Sequence, residues 1–263
     1  MNDVIIKTPE QIELMQESGR LLAQVFLMLD DIIKPGITTM TVNNLVEQYI
    51  VNELNARPAS KGQYGYPFVL NSSINEVVCH GMPSDSDVLT NTDIINFDIT
   101  LEKNGFIADS SKMYIMPNAS KEAKKLVTVT QQAMWQAIKL VKPGARLGDI
   151  GHIIAQIAHQ NGYSIVREYC GHGIGEQMHE VPNVLHYGKP NTGLKLQAGM
   201  TFTIEPMLNQ GSAKVKTNKD GWTVVTKDKQ LSAQTEHTIL VTNTGYEVLT
   251  LRAEEAAQLS ALL

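Results

Sequence analysis

The sequence is poor in several features that would each assign it to a large class of proteins. It has two cysteines, Cys79 and Cys170, and no CxxC pair. Neither a disulfide framework nor a cysteine-rich zinc cluster is expected, and a reducing cytoplasmic setting fits best. Basic residues are outnumbered, 22 against 27 acids, for a formal charge of −5. Binding to DNA needs the opposite balance, because cations must displace counterions from phosphates, so no DNA partner is expected. No run reaches the roughly 18–20 apolar residues that span a bilayer, and no membrane partner is expected. The most apolar stretch, residues 21–33, is interrupted by Gln24, Asp30 and Asp31. The opening residues, MNDVIIKTPEQ, lack the basic-then-apolar order of a signal peptide. No loop spaces Asp, Asn and Gly in the manner of an EF-hand, which argues against a calcium-stabilised structural protein.

What the chain does carry begins with a well-marked helix. Thr8 is placed to cap it, Pro9 suits the first helical position, and Gln11 completes a capping box. Apolar residues follow at Ile12, Met15, Leu22, Val25, Phe26, Leu29, Ile32 and Ile33, a stripe at helical spacing. A Lys-Pro-Gly turn at residues 34–36 ends it, and residues 41–55 read as a second helix.

The same unit returns 108 residues later, at Lys142-Pro143-Gly144. Val129, Ala133, Met134, Ala137, Leu140 and Val141 fall in phase with Leu21, Val25, Phe26, Leu29, Ile32 and Ile33. Beyond the turn, Ile150, Ile153 and Ile154 match Val42, Leu45 and Val46. Matched apolar phase on both sides of a turn points to duplication. Strand-like segments occupy residues 93–101, 106–116, 200–205 and 232–242. The expected architecture is two helix-helix-hairpin halves, about 1–120 and 121–263, meeting around a shared centre. The link at residues 117–120 is too short to make them independent, so residues 1–263 are expected to form one domain.

The segment DIINFDITLEKNGFIADSSKMY concentrates the chemistry. Asn104-Gly105 is a two-residue hairpin signal, since both positions tolerate positive φ. With that turn, Thr100 faces Asp109 and Asp98 faces Ser111, which makes Asp98 and Asp109 diagonal neighbours roughly 7 Å apart. A single aspartate on a strand is ordinarily a solvated residue of a polar face. Here Asp98 sits among Ile94, Ile95, Phe97 and Ile99, apolar on both phases of the strand. A carboxylate buried there requires a partner. Glu205 ends a second apolar strand before Pro206, and Glu236 is read inside another, residues 234–240. Four convergent carboxylates call for divalent cations.

Histidine completes the set. The run GHGIG sets His172 in a glycine-rich turn that leaves the imidazole approachable, and His179 and His80 also lie in turn-like settings. His152, His159 and His186 read as structural. Oxygen-rich ligation with one imidazole suits manganese, iron(II) or cobalt better than structural zinc. Two such ions roughly 3.5–4 Å apart activate water and polarise a carbonyl, the two needs of amide hydrolysis. No nucleophilic triad or phosphate-binding glycine fingerprint competes with this reading.

Six blocks, VVCHGMP, INFDIT, ADSSKMY, GHGIGEQMHEVPNVLHY, TFTIEPM and LSAQTEHTILVT, occur in an order that resembles type I methionine aminopeptidases. The resemblance extends over essentially the whole chain, in the compact bacterial form without an N-terminal zinc-binding extension. It implies the α+β pita-bread (creatinase/aminopeptidase-like) fold, with pseudo-twofold halves around a central antiparallel sheet. It also implies a metallo-aminopeptidase that removes initiator methionine before small second residues. By resemblance, Asp109 and Glu236 bridge two divalent ions (Co, Mn or Fe(II)), Asp98 chelates one, and His172 with Glu205 hold the other. Glu205 also takes the proton of the attacking water. His80 and His179 form an outer pair at the scissile amide, while Tyr66 and Trp222 shape the methionine pocket.

Departures from the family pattern fall in that pocket, at Ser60, Gln63, Met178 and Asn71. Asn71 stands at the pocket rim, its amide satisfied by water or nearby backbone. The implied partners are nascent polypeptide N-termini beginning with Met, with transient ribosome contact through lysines such as Lys121, Lys124 and Lys125, and a monomeric state. Two rivals share the fold: a proline-directed peptidase of the prolidase or aminopeptidase P kind, and a binding module that has lost its metals. Peptide specificity separates the first, and metal content the second.

Overall fold

The helices start where their caps dictate. In the computed structural model, which describes residues 4–260, helix α1 (Pro9–Ile32) opens with the full capping box. The Gln11 N–H donates to Thr8 Oγ1, and the Thr8 N–H donates back to Gln11 Oε1. Its inner face buries Met15, Leu22, Val25, Phe26 and Leu29. Gly19 lies on the same face, where an added Cβ would stand 2.1 Å from the Leu249 carbonyl oxygen. Only glycine permits the helix to lie this close to that backbone.

Helix α2 runs from Thr39–Gln48 and is capped by Thr38. It does not continue to residue 55 as expected. The chain widens into a π-helical turn at Tyr49–Glu53, where the Leu54 N–H donates to the Tyr49 carbonyl, and Asn55 then leaves at φ 47°. Helix α3 (Lys121–Ile138) is capped by Ser120, and helix α4 (Leu147–Gln160) begins 108 residues after the start of α2. The repeated apolar phase is realised in packing. Val42 and Ile150 are fully buried, as are Val46 and Ile154. Two members of the pattern are exposed. Leu140 lies beyond the end of α3 and is exposed, and Leu45 is exposed on α2.

The sheets carry the same division into halves. Ile94–Lys103 and Phe106–Ile115 form an unbroken antiparallel hairpin through Asn104 (φ 53°) and Gly105 (φ 84°). Its register is the expected one, with Thr100 opposite Asp109 and Asp98 opposite Ser111. Leu70–Ile74 flanks it, with Asn71 opposite Asp98. In the second half, Thr201–Ile204 pairs with His237–Val241, and Met207–Asn209 pairs with Ser232–Gln234. These make one long hairpin broken in both strands at the same level, at residues 205–206 and 235–236. Glu236 therefore sits at a break rather than inside a continuous strand. Pro206 has no N–H to give, and the opposing strand has no ladder bond to keep there.

The two hairpins meet at these positions. Ser111 and Glu236 exchange backbone hydrogen bonds at 3.4 Å, and the Ser110 hydroxyl donates to the Glu236 carbonyl at 2.7 Å. One apolar cluster gathers around Phe26 and Phe97 in the first half, and a second, around Met134 and Phe202, also takes in Ile94 and Met113 of the first hairpin. Helix α5 (Ala253–Ser260) closes the chain behind the seam. There the buried Arg252 pairs with Glu255 and donates to Ser110 Oγ at 3.1 Å. Among the described residues no helix is long and apolar enough to cross a membrane.

Candidate active site

The metal-ligand, outer-histidine and pocket residues singled out from the sequence all line one cavity of about 550 Å³ at the seam between the halves. Asp98 and Asp109 enter from the strands of the first hairpin, Glu205 and Glu236 from the facing breaks of the second. The ligand atoms of Asp109, His172 and Glu236 lie within 4.8 Å of one another, and all three residues are buried. Glu205 joins them, its Oε1 3.5 Å from His172 Nε2. Asp98 completes the group, its charge felt by Asp109, Glu205 and Glu236 alike.

His172 is not in a turn, as the glycine-rich run suggested, but on a short strand, Gly171–Gly173. The glycines serve backbone approach. A Cβ at Gly171 would stand 2.4 Å from the Thr203 oxygen, and one at Gly173 would stand 2.2 Å from the Val181 oxygen. The His172 Nδ1–H donates to the Gly173 carbonyl at 3.0 Å, leaving the Nε2 lone pair aimed at Asp109 and Glu205.

The electrostatics of this cluster fit a cation. Burial raises the carboxyl of Asp98 to about 6. Burial, then repulsion from neighbouring carboxylates, holds Asp109, Glu205 and Glu236 well above the usual carboxylate range. Burial lowers His172 to about 4, so its imidazole is neutral and able to ligate. Asp109 Oδ1 is buried without a hydrogen-bond partner. Protein groups alone disfavour the ionised form of these acids, whereas divalent cations stabilise it. The donor set fits a divalent metal.

The outer residues take distinct positions. His80 is held at φ 56°, edge-on to Tyr169, and burial lowers its imidazole to about 4. His179 is exposed on one side of the cleft and packs edge-on against His172, with ring centroids 4.4 Å apart. The backbone around His179 is tied down by a buried ion pair, Lys7 Nζ to Glu180 Oε2 at 2.6 Å. Lys7 in turn donates its backbone N–H to the Gly199 carbonyl. Tyr66 is buried, donates its hydroxyl to the Leu70 carbonyl at 3.0 Å, and packs edge-on to Trp222. Ser60, Gln63 and Met178 also line the cavity.

Three features were not anticipated. Asn71 does not rest on water or backbone. Its Nδ2 donates to Asp98 Oδ2 at 3.5 Å, because the two residues face each other across adjacent strands. His186 is structural as expected, yet it touches the site. Fully buried, it accepts the Glu205 N–H on Nε2 at 3.3 Å. Thr203 and Gln234 donate to the two Glu205 carboxylate oxygens, at 2.8 and 3.5 Å. The parity of Thr203 with Glu205 along the strand was the signal available for it. His186 and Gln234 carry no local signal, since their roles arise from tertiary contact.

Comparison with known proteins agrees with this geometry. Residues 13–243 match the model of metallopeptidase family M24. The chain is 49% identical over 252 residues to the methionine aminopeptidase of Escherichia coli strain K12, covering 96% of each chain. It is 52% identical to that of Salmonella typhimurium strain LT2, with the same coverage. A crystal structure of methionine aminopeptidase from Rickettsia prowazekii superposes with a TM-score of 0.92 at 44% identity, covering 95% of this chain and 100% of that one. The prolidase of Pyrococcus horikoshii OT3, at 21% identity and a TM-score of 0.73, shares the pita-bread fold over 64% of its length. On sequence, on fold and on its buried donor cluster, the chain belongs to metallopeptidase family M24.

Proposed function

We propose that this metallo-aminopeptidase removes the initiator methionine from nascent chains with small second residues, using two divalent ions (Co, Mn or Fe(II)) at the seam. The observation that carries the reading is the convergence of four carboxylates, three of them buried and Asp98 half-buried, with one neutral imidazole on one cleft. Relatives at about half identity over nearly full length are methionine aminopeptidases. Bound divalent ions supply an activated water and an electrophile for the scissile carbonyl.

Asp109 and Glu236 would be shared by two ions, Asp98 would hold one of them, and His172 with Glu205 would hold the other. Glu205, oriented by Thr203 and Gln234, takes the proton of the attacking water. His80 and His179 flank the cleft, one serving the amide nitrogen and the other the carbonyl oxygen. Tyr66 and Trp222 wall the methionine side chain, with Asn71 at its rim. Residues 1–263 act as one catalytic domain, monomeric in the cytoplasm, with transient ribosome contact and neither DNA nor membrane as partner.

A peptide panel assayed with added Mn, Fe(II) or Co tests the reading. Met-Gly, Met-Ala and Met-Ser peptides are hydrolysed well, Met-Lys and Met-Leu poorly, and Ala-Pro not at all. Rapid release of N-terminal Leu or Arg, or cleavage of Ala-Pro alone, overturns it.

A further inference from the structure

The cleft has one wall that the proposed chemistry leaves unexplained. Tyr64 is an aromatic residue 74% exposed to solvent, with little burial to hold it in place. Its backbone nevertheless adopts the left-handed conformation, φ 50° and ψ 22°, which a non-glycine residue enters only at a steric cost. The turn that imposes this is closely tied. Gly62 (φ 90°) and Gly65 (φ 85°) bracket it, the Gly62 N–H donates to the Tyr66 carbonyl at 2.7 Å, and the Tyr66 N–H donates to the Gln63 carbonyl at 2.9 Å. Tyr66 anchors the whole through its buried ring.

This conformation brings Tyr64 against His179. The rings stack with centroids 5.9 Å apart and 20° between planes, and the Tyr64 hydroxyl lies 3.5 Å from His179 Nδ1. Among the described residues that hydroxyl is the one hydrogen-bond partner of the His179 ring. A neutral imidazole has one donor nitrogen and one acceptor nitrogen, and its neighbours select which is which. A phenol is a good donor and imidazole nitrogen a good acceptor, so the favoured pairing is Tyr64 O–H to Nδ1. The proton of His179 then resides on Nε2.

We propose that Tyr64 is a positioning residue for His179, holding the imidazole in the tautomer whose Nε2–H is presented to the substrate. The inference rests on the reading of His179 as a hydrogen-bond donor in the reaction. His172 needs no such help, since its own Nδ1–H is already held by the Gly173 carbonyl.

Hydrolysis of Met-Ala-Ser, with metal content measured alongside, tests this through a double-mutant cycle. Tyr64→Phe keeps the stacking and lowers kcat about fivefold, the effect of one net hydrogen bond. Tyr64→Ala removes stacking as well and lowers kcat about twentyfold, with KM and bound metal unchanged. In a His179→Ala background, Tyr64→Ala has no further effect. Tyr64→Gly, which relieves the backbone conformation, serves as the folding control and loses as much kcat as Tyr64→Ala. A second readout is independent of turnover. The ¹⁵N chemical shifts of His179 in metal-free protein show an unprotonated Nδ1, and Tyr64→Phe moves them toward a tautomer mixture.

Equal losses with and without His179, a change confined to KM, or unaltered ¹⁵N shifts in Tyr64→Phe each overturn the proposal. If His179→Ala alone leaves kcat intact, the role of His179 fails first and takes this inference with it. If His179→Ala lowers kcat and Tyr64→Ala does not, only the inference fails.

Discussion

The two hairpins that meet at the cleft are built differently, although the helices behind them repeat in phase. The first hairpin is continuous, ten residues against ten, and offers its acids from within the strands. The second is interrupted in both strands at one level and offers its acids from the gap. The choice of acid follows the backbone. Aspartate, with the shorter side chain, stands on the continuous ladder that runs beside the centre. Glutamate, longer by one methylene, reaches in from positions where the strand has left its own ladder. A continuous hairpin aims short side chains, and an interrupted one compensates with length.

The largest expected effect tests whether both hairpins are needed equally. Asp109→Asn and Glu236→Gln should each lower hydrolysis of Met-Ala-Ser about a thousandfold or more, the several kcal/mol that metal assistance supplies. Both should also lose most of their bound metal. Retention of two ions and normal turnover in either variant would show that its hairpin does not serve the metals.

Smaller, and directed at the backbones themselves, is a pair of glycine substitutions. Gly171→Ala forces a Cβ to 2.4 Å from a backbone oxygen, so it should destabilise the protein by about 3 kcal/mol. At Gly105 nothing lies within 4 Å of the added atom, and only the positive φ opposes it. Gly105→Ala should therefore lose about 1 kcal/mol. Denaturant midpoints measure both. Equal losses would mean that the strand carrying His172 approaches the second hairpin no more closely than the open turn of the first requires.

The smallest effect concerns the flank of the first hairpin. Asn71→Cys removes the amide that donates to Asp98, so metal affinity should fall about tenfold, as when a group supporting a ligand is lost. Stability should hardly change. If KM for the peptide moves while metal affinity does not, Asn71 belongs to the substrate pocket instead.

Much of the first hairpin was legible because Asn104-Gly105 sets the register, and register sets which side chains share a face. The second was legible only in part. Pro206 marked the end of one strand, but Glu236 lies among residues apolar enough to read as an uninterrupted strand. The break opposite Pro206 follows from a donor missing on the partner strand, which no single segment reveals. The π-helical turn after α2 likewise left no mark on apolar spacing. His172 was found for a reason that needed amendment, since its glycines serve close packing rather than a turn. Tyr64 and His186 escaped because what they do depends on a neighbour more than a hundred residues, or a full strand, away.

The ion pair between Lys7 and Glu180 has a consequence in time. The two residues are 173 positions apart. A ribosome adding roughly 5–20 residues per second releases the first on the order of 10–35 s before the second. Until then the loop that carries His179 has no latch, and when Glu180 is added only Asp98, Asp109 and His172 of the five proposed metal-binding residues have been made. A chain arrested midway thus holds two carboxylates on a sound hairpin and no means to use them. Activity arrives late in synthesis, when the start of the polypeptide is drawn in beside residues made long after it.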